Sequence, residues 1–411
     1  MKKLLNILIL TFHILPFGMS AQENTTSLEQ QVDSLIQYGI QNKAFPGAQV
    51  LIFKNDSIQL NKSYGYQTYD SIKPIHNNNL YDLASVTKVL AGTLAFMKLH
   101  ELYDINLDDK VSNYILSLKK TNKKNTSFRE VLSHSAGWLP YIAHQNLVLK
   151  KNGEFKRRTI RPKQSKRYFI QISDSLFVHK NYTSKIMRRI NKSKVGTVGE
   201  YKYSGLWFFL LPELTKQLSG LSFIDFLNSY FYIPLKLNRL TFLPSSQFSK
   251  NEIVPTEIDS TFRKQLVQGW VHDEAAALMG GISGNAGLFA NASSIAPILE
   301  LFLNKGNFKE TPLLKEKTLE TFTKRAYPES ENRRGLGFDK PSLDMEAPYP
   351  SKSVSNESFG HTGFTGTFIW VDPVDKSFVV FLSNRVYPSR KQRGLYELDI
   401  RDKLLELTLE N

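Results

Sequence analysis

The sequence of 411 residues contains no cysteine. Disulfides, thiolate metal ligands and a lipid-anchoring thiol are therefore excluded, and the fold must be stabilised by packing alone. After residues 1–21, no apolar run is long enough to span a membrane. Because 41% of the residues are hydrophobic, the chain is still able to bury a large core.

The N-terminal segment has the pattern of a secretory signal. Lys2 and Lys3 precede a short apolar stretch over residues 4–17, and small residues at 19–21 offer a cleavage site. The apolar stretch is too short for a comfortable transmembrane helix. We therefore predict a signal peptide over residues 1–21 and an exported protein, periplasmic or secreted, with no membrane span after cleavage.

Acidic residues are fewer than lysines and arginines, and the net charge is +15. The excess is concentrated between Lys150 and Lys194, where 15 lysines and arginines accompany only Glu154 and Asp174. One interpretation is a solvated, lysine-rich insertion over residues 150–199. The other is an electropositive rim that draws anionic polymers or carboxylates to a cleft. We expect no nucleic-acid partner, since no recognition-helix, zinc-finger or RNA-binding signature is present.

One stretch combines a serine, a lysine and a long apolar run. Residues 89–97 are almost entirely apolar, which predicts a buried helix. Lys88 lies in its first turn, where burial and the positive end of the helix dipole both favour the neutral amine. Ser85 lies three residues earlier, on the same helix face. A hydroxyl beside a neutral amine is an activated nucleophile; the alternative is a capping serine and a surface lysine.

The order of strand and helix patterns predicts an α+β fold. A helix and a hairpin come first, a long mainly helical stretch follows, and two strands and a helix close the chain. This order predicts an antiparallel sheet built from both chain ends and flanked by helices, with a mainly helical lobe inserted. We place the sheet lobe at 22–80 and 325–411 and the inserted lobe at 81–324, including the basic insertion 150–199.

Three motifs resemble those of the serine penicillin-binding-protein and β-lactamase superfamily, near its class C and D-stereospecific-hydrolase branch. They are Ser85-Val86-Thr87-Lys88, Tyr203-Ser204-Gly205 and His361-Thr362-Gly363. They occur in the family's order, and flanking stretches at 46–48 and 132–137 also match. The resemblance covers nearly all of the chain after the signal segment. It implies a β-lactamase/transpeptidase-like fold and serine acyl transfer without a metal or another cofactor.

The resemblance also implies roles for single residues. Ser85 is the acylated nucleophile, Lys88 its base, and Tyr203 the phenol that moves protons to the leaving group. The backbone N–H groups of Ser85 and Phe364 form the oxyanion hole. His361 adds polarity or charge at the substrate, next to the strand residues Thr362 and Gly363.

Two departures from the family pattern affect the expected substrate. Gly205 replaces the usual asparagine, and His361 replaces the usual lysine. Both changes weaken the case for antibiotic hydrolysis or D-Ala-D-Ala transpeptidation, and both leave serine acyl transfer intact. Because histidine titrates near neutral pH, we expect activity to fall on acidification through Lys88 and His361.

A narrower likeness points to exported hydrolases that accompany β-N-acetylglucosaminidases in cell-wall recycling, including exo-acting N-acetylmuramoyl-L-alanine amidases. It rests on the residues at 202–204, 271–276, 359–366 and 382–385. The implied partners are peptidoglycan fragments or other small acyl substrates, and a β-N-acetylglucosaminidase as a companion enzyme. The alternatives are an esterase, a D-amino-acid peptidase or carboxypeptidase, a β-lactam hydrolase, and a catalytically silent binding module.

Three further features favour structural roles. His272-Asp273-Glu274 lacks a second histidine at metal-ligand spacing, so we expect a structural or substrate-loop role. His134 lies between two serines and is expected to pack and to hydrogen-bond a loop. The glycine-dense stretch 280–287 lacks the context of a phosphate-binding loop and is expected to be a tight turn.

Overall fold

The computed structural model describes residues 27–410, so the predicted signal peptide 1–21 lies outside the described residues. The α-helices are α1 Leu28–Gln41, α2 Leu94–Tyr103, α3 Val111–Tyr114, α4 Phe128–Leu132, α5 Tyr182–Lys192, α6 Leu211–Ser219, α7 Phe223–Leu227, α8 Glu274–Leu278, α9 Ala292–Leu303, α10 Glu316–Thr323, α11 Gly394–Glu397 and α12 Ile400–Glu410. The strands are β1 Gly47–Lys54, β2 Ser57–Gly65, β3 Tyr81–Asp82, β4 Ile160–Arg161, β5 Tyr168–Ser173, β6 Leu176–His179, β7 Leu240–Phe242, β8 Glu257–Asp259, β9 Gln265–Val267, β10 Leu288–Ala290, β11 Asn307–Phe308, β12 Thr311–Pro312, β13 Phe359–Thr362, β14 Phe368–Asp372 and β15 Ser377–Ser383.

A five-stranded antiparallel sheet joins the two ends of the described chain in the order β13-β14-β15-β1-β2. The β1–β2 hairpin turns at Asn55 and Asp56, and both residues have positive φ. A two-residue turn needs positive φ at both positions if its twist is to match that of the strands. Val50 pairs with Phe381, which places the N-terminal hairpin beside the C-terminal strands. The predicted α+β architecture is therefore confirmed.

Both faces of the sheet are buried. Alternate residues of β15 belong to different cores: Val379 and Phe381 pack towards α1 and α12, whereas Val380 and Leu382 pack towards α9 and the inserted lobe. Because side chains alternate along a strand, a run that is apolar at every position serves two cores. This double burial fixes the position of β13, which ends at the functional site.

The helical run that carries Ser85 and Lys88 changes its hydrogen-bonding pattern along its length. A 3₁₀ turn at Ala84–Val86 leads into a π-helical segment at Lys88–Thr93 and then into α2. The segment from Lys88 to Thr93 is completely buried, as its apolar sequence predicts. Departures from α-helical geometry of this kind are frequent at functional sites.

The basic insertion is less helical than expected. Residues 160–179 form a three-stranded sheet in the order β4-β6-β5, and α5 follows it. Strand β5 and helix α5 both pack against α8, which borders the functional cavity described below. Within residues 27–410, no helix is both long and apolar enough to cross a membrane.

Candidate active site

Ser85 and Lys88 lie together at the base of a cavity of about 420 Å³. Lys88 Nζ is 2.9 Å from Ser85 Oγ and 3.2 Å from the carbonyl oxygen of Asn285, and the lysine is buried. No carboxylate forms an ion pair with this amine within residues 27–410. An amine with a hydroxyl and a carbonyl as neighbours is well placed to accept the serine proton.

The glycine-dense turn supplies the carbonyl at Asn285. A Cβ on Gly92 would lie 2.7 Å from the carbonyl oxygen of Gly284, so the turn approaches the lysine helix closely. Gly287 has φ +113°, and a Cβ there would lie 2.2 Å from the carbonyl oxygen of Gly281. The stretch is thus the tight turn that the sequence predicts, and it additionally positions a hydrogen-bond acceptor for Lys88.

The backbone just before the nucleophile is strained. Ala84 has φ +44°, which is uncommon for a residue with a Cβ. Its N–H donates to Asp82 Oδ1 at 2.8 Å, and Asp82 Oδ2 accepts the His272 N–H at 2.6 Å. Asp82 therefore holds the strained residue in place and ties it to the opposite wall of the cavity.

The turn after β13 is fastened to the nucleophile's segment by two buried threonines. Thr365 Oγ1 donates to the Asp82 carbonyl at 2.7 Å, and Thr367 Oγ1 donates to the Leu83 carbonyl at 2.8 Å. A Cβ on Gly363 would lie 2.6 Å from the Leu83 carbonyl oxygen, so only glycine permits this approach. The sheet and the inserted lobe are thus joined beside Ser85.

Phe364 lies at the edge of the cavity, and its ring is 48% exposed. The ring stacks on His272, and Arg385 Nη2 donates to the Phe364 carbonyl at 2.6 Å. Its backbone N–H has no hydrogen-bond acceptor among residues 27–410. The Phe364 N–H is therefore free to donate to a ligand at the cavity edge, and its role in the oxyanion hole stays a prediction.

Tyr203 lines the same cavity, and its ring centroid lies 5.2 Å from Lys88 Nζ. Within the described chain, its hydroxyl makes no hydrogen bond to Ser85 or Lys88. The ring packs on the buried imidazole of His134 with centroids 4.6 Å apart. Because His134 Nδ1 accepts the Ser204 N–H at 3.2 Å, the expectation that His134 packs and bonds a loop is confirmed.

The structure corrects the expected role of His361. The residue is 3% exposed and does not line the cavity, and neither do Thr362 and Gly363. Burial and the nearby Arg334 lower the pKa of His361 to about 3, so its imidazole is neutral between pH 5 and pH 8. The expectation that its charge changes on mild acidification is therefore wrong.

A positive charge is nevertheless present behind Tyr203. We call Arg333, Arg334 and Asp339 the arginine cluster. The Arg334 side chain is 1% exposed, its Nη1 lies 3.1 Å from Asp339 Oδ1, and its guanidinium carbon lies 5.8 Å from the Tyr203 ring centroid. Arg334 Nε and Nη2 have no partner among the described residues. Two arginines share one carboxylate, so the cluster carries excess positive charge.

A second buried network lies on the other side of the cavity, and we call it the carboxylate cluster: Glu257, His272, Glu274 and Arg390. Arg390 Nη2 lies 2.7 Å from Glu257 and 2.9 Å from Glu274, while His272 Nε2 lies 2.8 Å from Glu257. Burial opposes the charge on Glu257, but hydrogen bonds from His272 and Arg390 outweigh it and lower its pKa to about 2. His272 thus has the structural role that the sequence predicts.

Of the predicted site residues, the structure brings Ser85, Lys88, Tyr203, Gly205 and Phe364 to one cavity. Sequence reasoning missed the two clusters and the cavity residues at 140–145. Arg333-Arg334-Gly335 has the composition of an exposed loop, and residues 140–145 show no periodicity, so neither stretch gave a usable signal.

Comparisons with known proteins identify the family of this chain. A β-lactamase family model matches residues 32–401. A relative from Salmonella heidelberg (strain SL476), named "Putative D-alanyl-D-alanine carboxypeptidase", is 28% identical, covering 92% of this chain and 89% of its own length.

Solved structures share the fold at low sequence identity. A penicillin-binding-protein homologue from Caulobacter crescentus has a TM-score of 0.66 at 15% identity, covering 93% of this chain and 98% of that one. EstCE1, described as "a hydrolase with promiscuous acyltransferase activity", has a TM-score of 0.65 at 18% identity, covering 92% and 98%.

Proposed function

Because this chain belongs to the β-lactamase family of serine hydrolases, we propose that it cleaves an amide bond in peptidoglycan-derived muropeptides through an acyl-enzyme at Ser85. The observation that carries the proposal is the buried contact of 2.9 Å between Lys88 Nζ and Ser85 Oγ at the base of the cavity. We further propose that the protein is exported and that it works alongside a β-N-acetylglucosaminidase.

The proposed reaction follows from the positions of the cavity residues. The Lys88 amine accepts the Ser85 proton while Oγ attacks the amide carbonyl, and the N–H groups of Ser85 and Phe364 receive the negative oxygen. Tyr203 transfers its proton to the leaving nitrogen as the C–N bond breaks, and the Lys88 ammonium returns a proton to the Tyr203 oxygen. Water then attacks the ester and releases the acid and free Ser85.

The choice of substrate has two supports. The relatives named as D-alanyl-D-alanine carboxypeptidases carry names that describe cleavage of cell-wall peptide amides. In addition, 14 of the 15 lysines and arginines between 150 and 194 are exposed, and three of these, Lys185, Arg188 and Lys192, lie on α5, which packs against α8 at the cavity. Such a surface attracts anionic wall fragments. A carboxypeptidase acting on D-alanyl peptides is the second candidate, favoured by the relatives' name.

Covalent labelling tests the nucleophile. Incubation with a fluorophosphonate or a fluorescent penicillin should add one label by intact mass, and Ser85→Ala should abolish it. Ser175→Ala, at an exposed serine of the insertion, is the matched control and should label like the parent protein. Labelling that persists in Ser85→Ala contradicts the proposed nucleophile.

Product analysis tests the substrate. Incubation with MurNAc-L-Ala-D-isoglutamine should release the free dipeptide, whereas a pentapeptide ending in D-Ala-D-Ala should stay intact. Release of D-alanine without dipeptide supports the second candidate. Rapid p-nitrophenyl ester turnover without either amide product identifies an esterase and contradicts both. The mass of the protein purified from the periplasm tests export, with loss of residues 1–21 expected.

A further inference from the structure

The wall of the cavity formed by residues 272–275 carries an unpaired carboxylate. Asp273 lines the cavity, and its Oδ1 accepts the Ala276 N–H at 2.7 Å. No cation forms an ion pair with Asp273 within residues 27–410. Burial and the neighbouring Glu274 raise its pKa, while the Ala276 N–H and the nearby Lys88 act in the opposite direction. Capping one backbone N–H leaves its second oxygen available to a ligand.

The nearby arginine does not fill this role. Arg390 also lines the cavity, but Glu257 and Glu274 both hold its guanidinium at less than 3 Å. Because two carboxylates hold this guanidinium, it is not available to pair with Asp273. A substrate carboxylate would therefore be repelled here, whereas a cation would be attracted.

An independent observation comes from His144, which borders the same cavity. Its side chain is 0% exposed, and neither ring nitrogen has a hydrogen-bond partner among the described residues. Burial and Arg189 lower its pKa to about 4, so the ring is neutral at physiological pH and one nitrogen is a free acceptor. The turn His144–Leu147 packs against α8, directly after Asp273. A buried polar group without a partner is costly unless a ligand satisfies it.

We infer that Asp273 and His144 form a binding site for a protonated primary amine of the substrate, beside the reacting carbonyl. An ammonium group has three N–H donors and no acceptor, which suits a carboxylate oxygen and an imidazole nitrogen. The acyl donor that this site selects is thus an amino-bearing peptide or amino-acid derivative, which the N-acetylated muramoyl group is not, so the site favours the second candidate substrate, a D-alanyl peptide. This inference rests on the proposed acyl-enzyme at Ser85 and names the class of substrate that forms it.

Matched esters test the inference separately from amide cleavage. We would compare p-nitrophenyl esters of 2-amino, 4-amino and 6-amino acids with the hydroxy acids of equal length. For at least one length, kcat/KM for the amine should exceed that for the hydroxyl by about tenfold or more. Asp273→Asn, which keeps the cap acceptor for Ala276, should bring this ratio close to one. His144→Phe should lower it by a smaller factor.

The control is Asp225→Asn, which changes an exposed aspartate in the first turn of α7, away from the cavity, and should preserve the ratio. A ratio near one for the parent protein at every length overturns the inference, as does a preference that survives Asp273→Asn. If no ester gives a p-nitrophenol burst, the acyl-enzyme itself is contradicted. Circular dichroism and turnover of the hydroxy ester establish that each variant is folded.

Discussion

The arginine cluster and the carboxylate cluster flank the same cavity and are built in opposite ways. In the arginine cluster, Arg334 is nearly inaccessible and leaves two nitrogens without partners. In the carboxylate cluster, Arg390 is bound by two carboxylates, and its side chain is 34% exposed. The first therefore keeps an uncompensated positive charge near Tyr203, whereas the second holds its arginine between two carboxylates and leaves Asp273 without an ion-pair partner among the described residues.

Because of this difference in charge, we expect the Tyr203 side and the Asp273 side of the cavity to act at different stages of the reaction. A positive charge near Tyr203 favours groups that become negative during the reaction, such as the phenol and the oxyanion. A negative charge near Asp273 acts on the substrate before reaction and selects its charge. Lys88 lies between them, so its variant should show the largest effect.

Replacing Lys88 with methionine should lower kcat/KM for an ester substrate by about 10² to 10⁴, because the general base is removed. The aliphatic length is retained, so the fold should persist. Stopped-flow measurement of the acylation burst is the direct readout. Lys216→Met, at an exposed position on α6, should leave the rate unchanged. A loss below threefold would show that another group takes the serine proton.

Replacing Arg334 with methionine should destabilise the protein by about 3–5 kcal/mol, since Asp339 then loses a buried partner. Arg390→Met should cost less, about 1–3 kcal/mol, because its head group is partly solvated. Urea denaturation measures both. The double variant Arg334→Met, Asp339→Asn should recover much of the stability that Arg334→Met loses, but it should not recover the acylation rate. Equal costs for the two arginines would remove the distinction between the clusters.

Acid should destabilise the protein in two different pH ranges. The pKa values of His361 and His144 fall from 6.5 to about 3 and about 4 on folding, so the unfolded chain binds protons that the folded chain does not. Stability should therefore fall as the pH drops below 6.5. Glu257, lowered from 4.5 to about 2, adds a loss only below pH 4.5.

Urea midpoints at pH 7.5, 6, 5 and 4 measure this dependence. His361→Asn should flatten the slope between pH 6.5 and 4.5, whereas Glu257→Gln should leave the slope in that interval as it is. The acylation rate of His361→Asn should have the same pH dependence as that of the parent protein between pH 5 and pH 8. A shifted profile would show that His361 titrates during the reaction.

The smallest effect is expected at Gly205, on the Tyr203 side of the cavity. A Cβ there would find its nearest neighbours, Lys88 Cε and Asn285 Cβ, 3.9 Å away, so Gly205→Ala should change stability by less than about 0.5 kcal/mol. Gly287→Ala should fold poorly, since its φ is +113° and its Cβ would clash with Gly281. Thermal melts compare the two. A large loss for Gly205→Ala would show that this side has no spare room.

The sequence predicted the architecture well because burial leaves a pattern. The strand at 377–383, which is apolar from 378 to 382, and the apolar run after Lys88 predicted a strand of the sheet and a buried helix, and both are observed. The nucleophile and its base were also predictable, since three residues on one helix fix their separation. Local spacing was sufficient in these cases.

The electrostatics of the cavity was not predictable in the same way. His361 was expected to titrate near neutral pH, but its burial and the charge of Arg334 come from segments far apart in sequence. Arg334 and His144 had no local pattern, because a buried arginine in a loop has the same sequence as an exposed one. The exposed cations of residues 150–194 hid the fact that the wall beside Asp273 is negative.

The hydroxyls of Thr365 and Thr367 donate to the carbonyls of Asp82 and Leu83, so the contact between the sheet lobe and the inserted lobe lies beside Ser85. Loosening that contact would move Phe364 relative to Ser85 and would open the core shared by the sheet and the inserted lobe, while the core between the sheet, α1 and α12 stays closed. We therefore expect catalysis to be lost on gentle warming before helicity declines. The rate of covalent labelling of Ser85 therefore reports whether the contact between the sheet lobe and the inserted lobe is intact.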